Sequence, residues 1–286
     1  MPARRMLPVL AVVAATLLTL APAGAAGPPV GASSALSDTV YSPDGQRAVI
    51  VDQGEHSTVV RLVNPSTRRA LRQWTIRGRF GLPRVTYSEL GGIDLHGSTL
   101  VLADADAPSV AGVTRFLIFD LRSAAAPRLV TLTGAFGYDA LSPTGDRLYL
   151  VQGVSASTGS PASEFSRYIV RALDLRRDRL IKAAIFDPKD GPGAMQGIAT
   201  ARATSTNGAW VYTLYIGGAH AFIHALHTTA GQARCIDLPW TGKNTRGTIA
   251  AFVDKHTLSL VDDRGTMLAR IDTNDMRVNA ILDPTI

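Results

Sequence analysis

The chain has 286 residues, enough to bury a large core, and all-β folds of 200–250 residues are routinely one domain. Aromatics are sparse, whereas 26 glycines and 16 prolines suit many short strands joined by turns. Cys235 is the only cysteine. That excludes an internal disulfide, so packing alone must hold the fold.

The first residues read as an export leader. Arg4 and Arg5 precede an apolar run over 6–20, followed by the small residues Ala21-Pro22-Ala23-Gly24-Ala25-Ala26, the plan of a secretory signal cleaved after Ala25 or Ala26. Fifteen apolar residues including Pro8 fall short of the ~20 needed to span a bilayer. The expected organisation is a signal peptide at 1–26, a Gly/Pro/Ser/Ala lead-in at 27–37, and one domain at 38–286. No integral membrane segment is expected after cleavage. Losing Arg4 and Arg5 takes the formal charge from +6 to +4. Such a surface is drawn weakly to anionic envelope polymers. Arginine clusters at 68–79 and 171–182 alternate with strand and acidic residues, which predicts solvated strand faces and no nucleic-acid partner.

Five similar units follow. The first opens at Asp38 and turns at Ser42-Pro43-Asp44-Gly45, with strands predicted at 47–51, 59–63 and 71–76. The second turns at Asp94-Leu95-His96-Gly97, with strands at 99–103, 114–121 and 129–132. The third, spanning 136–186, turns at Ser142-Pro143-Thr144-Gly145, with strands at 147–151, 168–175 and 180–186. The fourth turns at Ser205-Thr206-Asn207-Gly208, with strands at 210–215, 221–226 and 234–238. The fifth has strands at 248–253, 257–261, 267–271 and 278–282, and no glycine at its first turn. Taking Ser42, Asp94, Ser142, Ser205 and Phe252 as equivalent, the steps are 52, 48, 63 and 47 residues. A self-similar four-stranded unit of that length is the signature of a propeller blade. One such sheet cannot bury both faces alone, whereas radial packing covers each with its neighbours. The expected fold is all-β: a β-propeller of four-stranded antiparallel blades, five in number, with space for a sixth in the irregular segments. Residues 276–286 are expected to pair with the first blade and close the ring.

Ser-Pro-Asp-Gly-Gln-Arg-Ala-Val-Ile-Val at 42–51 and Ser-Pro-Thr-Gly-Asp-Arg-Leu-Tyr-Leu-Val at 142–151 resemble the S-P-D-G repeats of TolB-type, WD40-like propellers. Val170-Arg171-Ala172-Leu173-Asp174-Leu175 is similar to a strand of YVTN-type secreted propellers. The resemblance covers the first, third and fourth units well and the other two loosely. It implies extracellular binding or scaffold roles, with a minority of enzymes such as lactonases. No catalytic motif of those enzymes matches here, nor does any G-x-S-x-G, phosphate loop or dinucleotide fingerprint.

The longer segments are those between the second and third strands of a blade and those between blades. Strand alternation puts them on one face, where binding residues are expected. Reading back from the aligned turns places Glu89, Tyr138, Asp139 and Arg202, with Arg246, at the mouth of the central channel on that face. These groups would hold a small polar ligand or serve as acid and base; alternatively they satisfy only one another and water. His220 and His224 share a strand face about 13 Å apart at ~3.3 Å per residue, and His227 points the other way, so no shared metal is expected. Asp104 and Asp106 lack the further oxygens of a calcium loop. Cys235 reads as a half-buried, inert thiol. Trp74 and Trp210 read as blade core, and Trp240, beside Pro239, as the tryptophan able to reach solvent. The expectation is a secreted or cell-envelope, monomeric, non-catalytic binding or scaffold protein without cofactor or metal. Its partner would be an envelope polymer, peptide or protein, engaged through the long-loop face. The rivals are a lactonase-like or other hydrolase at the channel mouth and a periplasmic TolB-like interaction partner.

Overall fold

The computed structural model describes residues 31–105, 112–154, 167–217, 220–240 and 249–282. Among these residues twenty strands form five four-stranded sheets, each a simple antiparallel meander. Blade 1 is β1 (Ser37–Tyr41), β2 (Ala48–Gln53), β3 (Ser57–Val63) and β4 (Ala70–Arg77). Blade 2 is β5 (Phe80–Gly81), β6 (Thr99–Asp104), β7 (Val113–Asp120) and β8 (Arg128–Thr133). Blade 3 is β9 (Phe136–Leu141), β10 (Arg147–Val154), β11 (Arg167–Asp174) and β12 (Arg179–Ile185). Blade 4 is β13 (Ile198–Thr204), β14 (Trp210–Ile216), β15 (Phe222–His227) and β16 (Gln232–Asp237). Blade 5 is β17 (Ala250–Asp254), β18 (Thr257–Val261), β19 (Met267–Asp272) and β20 (Arg277–Ile281). This is the five-bladed propeller that the repeat predicts.

The same side-chain chemistry closes the first turn of four blades. Ser42, Ser142 and Ser205 accept through Oγ from the N–H five residues on, at 3.0, 3.0 and 2.9 Å. Asp94 does the equivalent for Ser98 and Thr99 through Oδ1, at 2.6 and 3.1 Å. Each turn also needs one residue in the left-handed region, supplied by Gly45, Gly97, Gly145 and Gly208 with φ of 61–70°. At Gly145 a β-carbon would also sit 2.2 Å from Thr99 Oγ1 of blade 2, so the turn doubles as a packing point between blades. The fifth turn manages without glycine by placing Lys255 at φ 50°.

Four apolar clusters cement blades 1 to 2, 2 to 3, 3 to 4 and 4 to 5. Between blades 1 and 2, Val60 and Leu62 meet Leu100 and Leu117, and Trp74 packs edge-on against Phe119 at 5.6 Å. Each such buried Val, Leu or Phe contributes about 1.5–3 kcal/mol. Strands of the middle blades are covered on both faces: all six residues of β9 are buried, as are six of seven in β14. In β3 and β18 burial alternates, so one face of each end blade is covered and the other half-exposed. No cluster of described residues joins blade 5 to blade 1, and Tyr41 (60%) and Phe252 (58%) stay exposed. Among the described residues the expected closing strand is not formed either. β20 pairs with β19 as the outermost strand of its own blade, because the tight turn after Asp272 brings it straight back.

Trp240 corrects another expectation. It is 1% exposed and lies in the cluster between blades 4 and 5. The connection after β16 dips inward there, and an indole is large enough to fill the wedge between two twisted sheets. Members of the arginine clusters are engaged locally: Arg176 meets Asp146 at 3.0 Å, Arg177 meets Asp174 at 2.8 Å, and Arg72 donates to the Leu121 carbonyl at 2.7 Å. No helix among the described residues is long and apolar enough to cross a membrane.

Candidate functional site at the channel mouth

The innermost strands of blades 1 to 4 converge on a cavity of about 210 Å³ lined by Glu89, Tyr138 and Arg202 among others. Glu89 arrives by an irregular route. Blade 2 has only two residues in its inner strand, paired at Phe80 to Asp104 and Gly81 to Ala103, before the chain swings out and rejoins the sheet at Ile93 opposite Leu100. Pro83, which has no N–H to offer a ladder, stands at the departure. Within the excursion the buried Thr86 hydroxyl accepts from the N–H groups of Ser88 and Glu89 at 3.3 and 3.1 Å, and Arg84 bridges Leu90. This small turn aims the Glu89 side chain at the channel. Burial pushes its carboxyl up from the usual range, and the Arg202 charge partly opposes that rise.

Tyr138 packs over Gly91, where a β-carbon would lie 2.9 Å from the ring. Burial raises its phenol to about 12, against the pull of Arg202 and a backbone hydrogen bond from Gly92. The ring therefore presents a neutral hydroxyl at ordinary pH. Asp139 follows at a β-bulge: Tyr138 stands opposite Leu150 and Ala140 opposite Tyr149, leaving Asp139 as the extra residue. A bulge re-aims its side chain, here towards blade 4. Arg202 Nη1 donates to Asp139 Oδ1 at 3.0 Å and to the Thr213 hydroxyl at 2.9 Å, and its Nη2 donates to the Asp139 carbonyl. Both side chains of the pair are at least nine-tenths buried. Asp139 Oδ2 is buried with no partner among the described residues.

The five expected mouth residues thus divide. Glu89, Tyr138 and Arg202 line one cavity, and Asp139 stands behind Arg202 as its counter-ion. Arg246 lies outside the described residues, as does Asp106. Thr213, the second acceptor for Arg202, had no signal in the sequence, because it belongs to the next strand and is one threonine among many.

The face is also different from the one expected. Pro43, Leu95, Pro143 and Gly208, all from the first turns of their blades, rim the cavity together with the last residues of the inner strands. The cavity therefore opens on the short-turn side, opposite the long connections. Inner strands run towards those short turns, and the inward side chains that leave space are the late ones, not the early ones.

Of the histidines, His220 Nε2 lies 2.9 Å from Asp237 Oδ1. His227 Nδ1 accepts from the Ala230 N–H at 3.1 Å, the turn-closing part that Asp174 plays in blade 3. Asp104 is bound to Arg115 Nε at 2.6 Å. Among the described residues no group of three His, Cys, Asp or Glu is placed to hold a metal ion.

Fold and site together define the class: a five-bladed β-propeller with a charged, half-buried channel mouth. No protein-family model matches the chain, and no curated protein matches it in sequence. Among solved structures it is similar to TolB from Acinetobacter baumannii, with a TM-score of 0.45 and 12% identity over 85% of this chain and 53% of that one. A putative TolB from Agrobacterium tumefaciens gives 0.42 and 13% over 85% and 79%, and the Dos1 propeller gives 0.43 and 9% over 82% and 57%. The chain spans about half the length of the Acinetobacter protein. Nothing about activity follows from likenesses this distant.

Proposed function

We propose that this is a secreted or cell-envelope propeller of the S-P-D-G-repeat type that binds a partner without transforming it. The leader-like residues 1–26 support export, and the shared turn chemistry of Ser42, Ser142 and Ser205 supports the repeat family. The observation that carries the binding role is Glu89, a half-buried carboxyl at the channel mouth with no hydrogen bond among the described residues. Arg202 is committed to Asp139 and Thr213, so it contributes field and rigidity. A group that donates hydrogen bonds fits such a carboxyl: an amide or amine of a peptide, or a hydroxyl of an envelope polymer.

The hydrolase reading would use Glu89 as a general acid, which its raised pKa favours. It also needs a second free group to activate water. Asp139 is paired and Tyr138 is a neutral phenol, so binding comes first. The test uses the chain from residue 27 onward in co-sedimentation with purified envelope polymers and in peptide-array binding. Glu89→Gln should weaken binding about ten- to a hundredfold, the loss of one charge-assisted hydrogen bond. Unchanged binding would remove Glu89 from the site. Ester or lactone hydrolysis abolished by the same substitution would move the protein to the hydrolases.

A further inference from the structure

A second cavity, of about 350 Å³, lies between blades 3 and 4 on the long-connection side, within the range of small-molecule sites. Its walls come from the start of β11 and β15, the end of β12 and β16, and the connection at 187–196. It shares no lining residue with the channel mouth. At its floor stands His224, 1% exposed.

The register explains why a histidine is there. Arg202 pairs with Thr213, Thr213 with His224, and His224 with Cys235. Directly opposed residues of an antiparallel sheet share a face, so these four form one polar row across blade 4. On either side of it the interface with blade 3 is apolar: Val211, Tyr215, Phe222 and Leu226 pack against Tyr149, Tyr168 and Val170. The inner end of the row is satisfied by Asp139. His224 is not: neither Nδ1 nor Nε2 has a hydrogen-bond partner among the described residues. A buried polar group left unpaired costs about 1–3 kcal/mol, a cost that a ligand group in the cavity would remove.

The surroundings restrict what that ligand is. Ile169, Ile185, Met195 and Phe222 offer apolar walls. The charged groups are acids already engaged. Asp187 accepts from the N–H groups of Cys235 and Lys189 at 2.9 and 3.0 Å, and Asp237 holds the Lys189 ammonium at 3.2 Å and His220 at 2.9 Å. With Asp190 also on the lining and, among the described residues, no uncommitted cation beside it, an anion is repelled. Burial lowers the pKa of His224, and Asp139, Arg202 and Asp187 act on it from the packed elements around it. A neutral imidazole has one donor and one acceptor nitrogen.

From this geometry we propose that the cavity between blades 3 and 4 is a binding site for an uncharged small molecule with an apolar body and a hydroxyl head. The hydroxyl either donates to the acceptor nitrogen of His224 or accepts from its N–H, while the body lies against Phe222 and Met195. The two cavities share no lining residue, so binding at one can be lost while binding at the other persists.

The test uses ¹⁵N,¹³C-labelled protein from residue 27 onward, with benzyl alcohol as probe and benzoate and benzylamine as charged comparators. Long-range ¹H–¹⁵N spectra read the imidazole nitrogens, with His227, which is not on the lining, as internal reference. Benzyl alcohol should shift the His224 nitrogens saturably and give intermolecular NOEs to the Met195 methyl. His224→Leu, which fills the same volume without polar atoms, should weaken the probe about tenfold. If that variant fails to fold, the wild-type NOE to Met195 still decides the matter. An unmoved His224, benzoate acting as well as benzyl alcohol, or NOEs from His224 to water alone that persist at saturating probe would each overturn the proposal.

Discussion

Arg202→Met is the most informative single change. The guanidinium sits between Asp139 and Thr213 with its side chain 9% exposed, and the carboxylate it neutralises is 3% exposed. Removing it leaves Asp139 charged, buried and with neither oxygen partnered, since Oδ2 already lacks a partner among the described residues. Breaking one half of a buried pair costs about 3–5 kcal/mol. For a domain of roughly 250 residues, each kcal/mol moves Tm by about 2–4 °C, so the drop should be about 6–20 °C. Arg202→Met with Asp139→Leu removes both charges and should recover most of the loss, because the desolvation cost disappears with the pair. Scanning calorimetry and urea midpoints at pH 7.5 would read both effects. A single variant costing under about 1 kcal/mol, or a double variant no better than the single, would mean that Asp139 reaches water and that the mouth is not built around this pair.

Gly145→Ala should be far more damaging than Gly265→Ala. Both have positive φ (67° and 79°), but only at 145 does the added β-carbon strike Thr99 and Asp94; the expected Tm losses differ by at least twofold. His224 is expected to make stability pH-dependent. Its folded-state pKa lies below the unfolded value, so its contribution is intact above about 6.5 and declines as pH falls through that value. Urea midpoints between pH 7.5 and 5 should fall, with a slope reduced in His224→Leu; an identical slope would refute the assignment. The Cys235 thiol, pushed up to about 12 mainly by burial, should resist iodoacetamide at pH 8 in the folded protein and react readily in urea. Equal rates in both states would show the thiol to be exposed.

Most strands were legible because their information is local. The predicted strands at 59–63, 99–103 and 257–261 become Ser57–Val63, Thr99–Asp104 and Thr257–Val261, since alternation and a turn with glycine in the left-handed region suffice to define a hairpin. Even the degenerate fifth unit was readable from its periodicity. The inner strand of blade 2 was not: only two residues of ladder survive there, and the excursion that carries Glu89 has no period to detect. The bulge at Asp139 was equally hidden, because a one-residue slip leaves the composition of a strand unchanged.

By itself, then, the sequence determined the repeating unit and its turns, set by contacts between residues close along the chain, and pointed to five blades while leaving space for a sixth. Only the tertiary structure decided which side chains meet across blades. Asp139 and Arg202 are 63 residues apart, and neither differs in sequence from a surface residue until two sheets bury them together. The open side of the mouth, the burial of Trp240 and the position of His224, without a hydrogen-bond partner among the described residues, belong to the same category. Each depends on how one twisted sheet fills or fails to fill the space beside its neighbour, which no local pattern encodes.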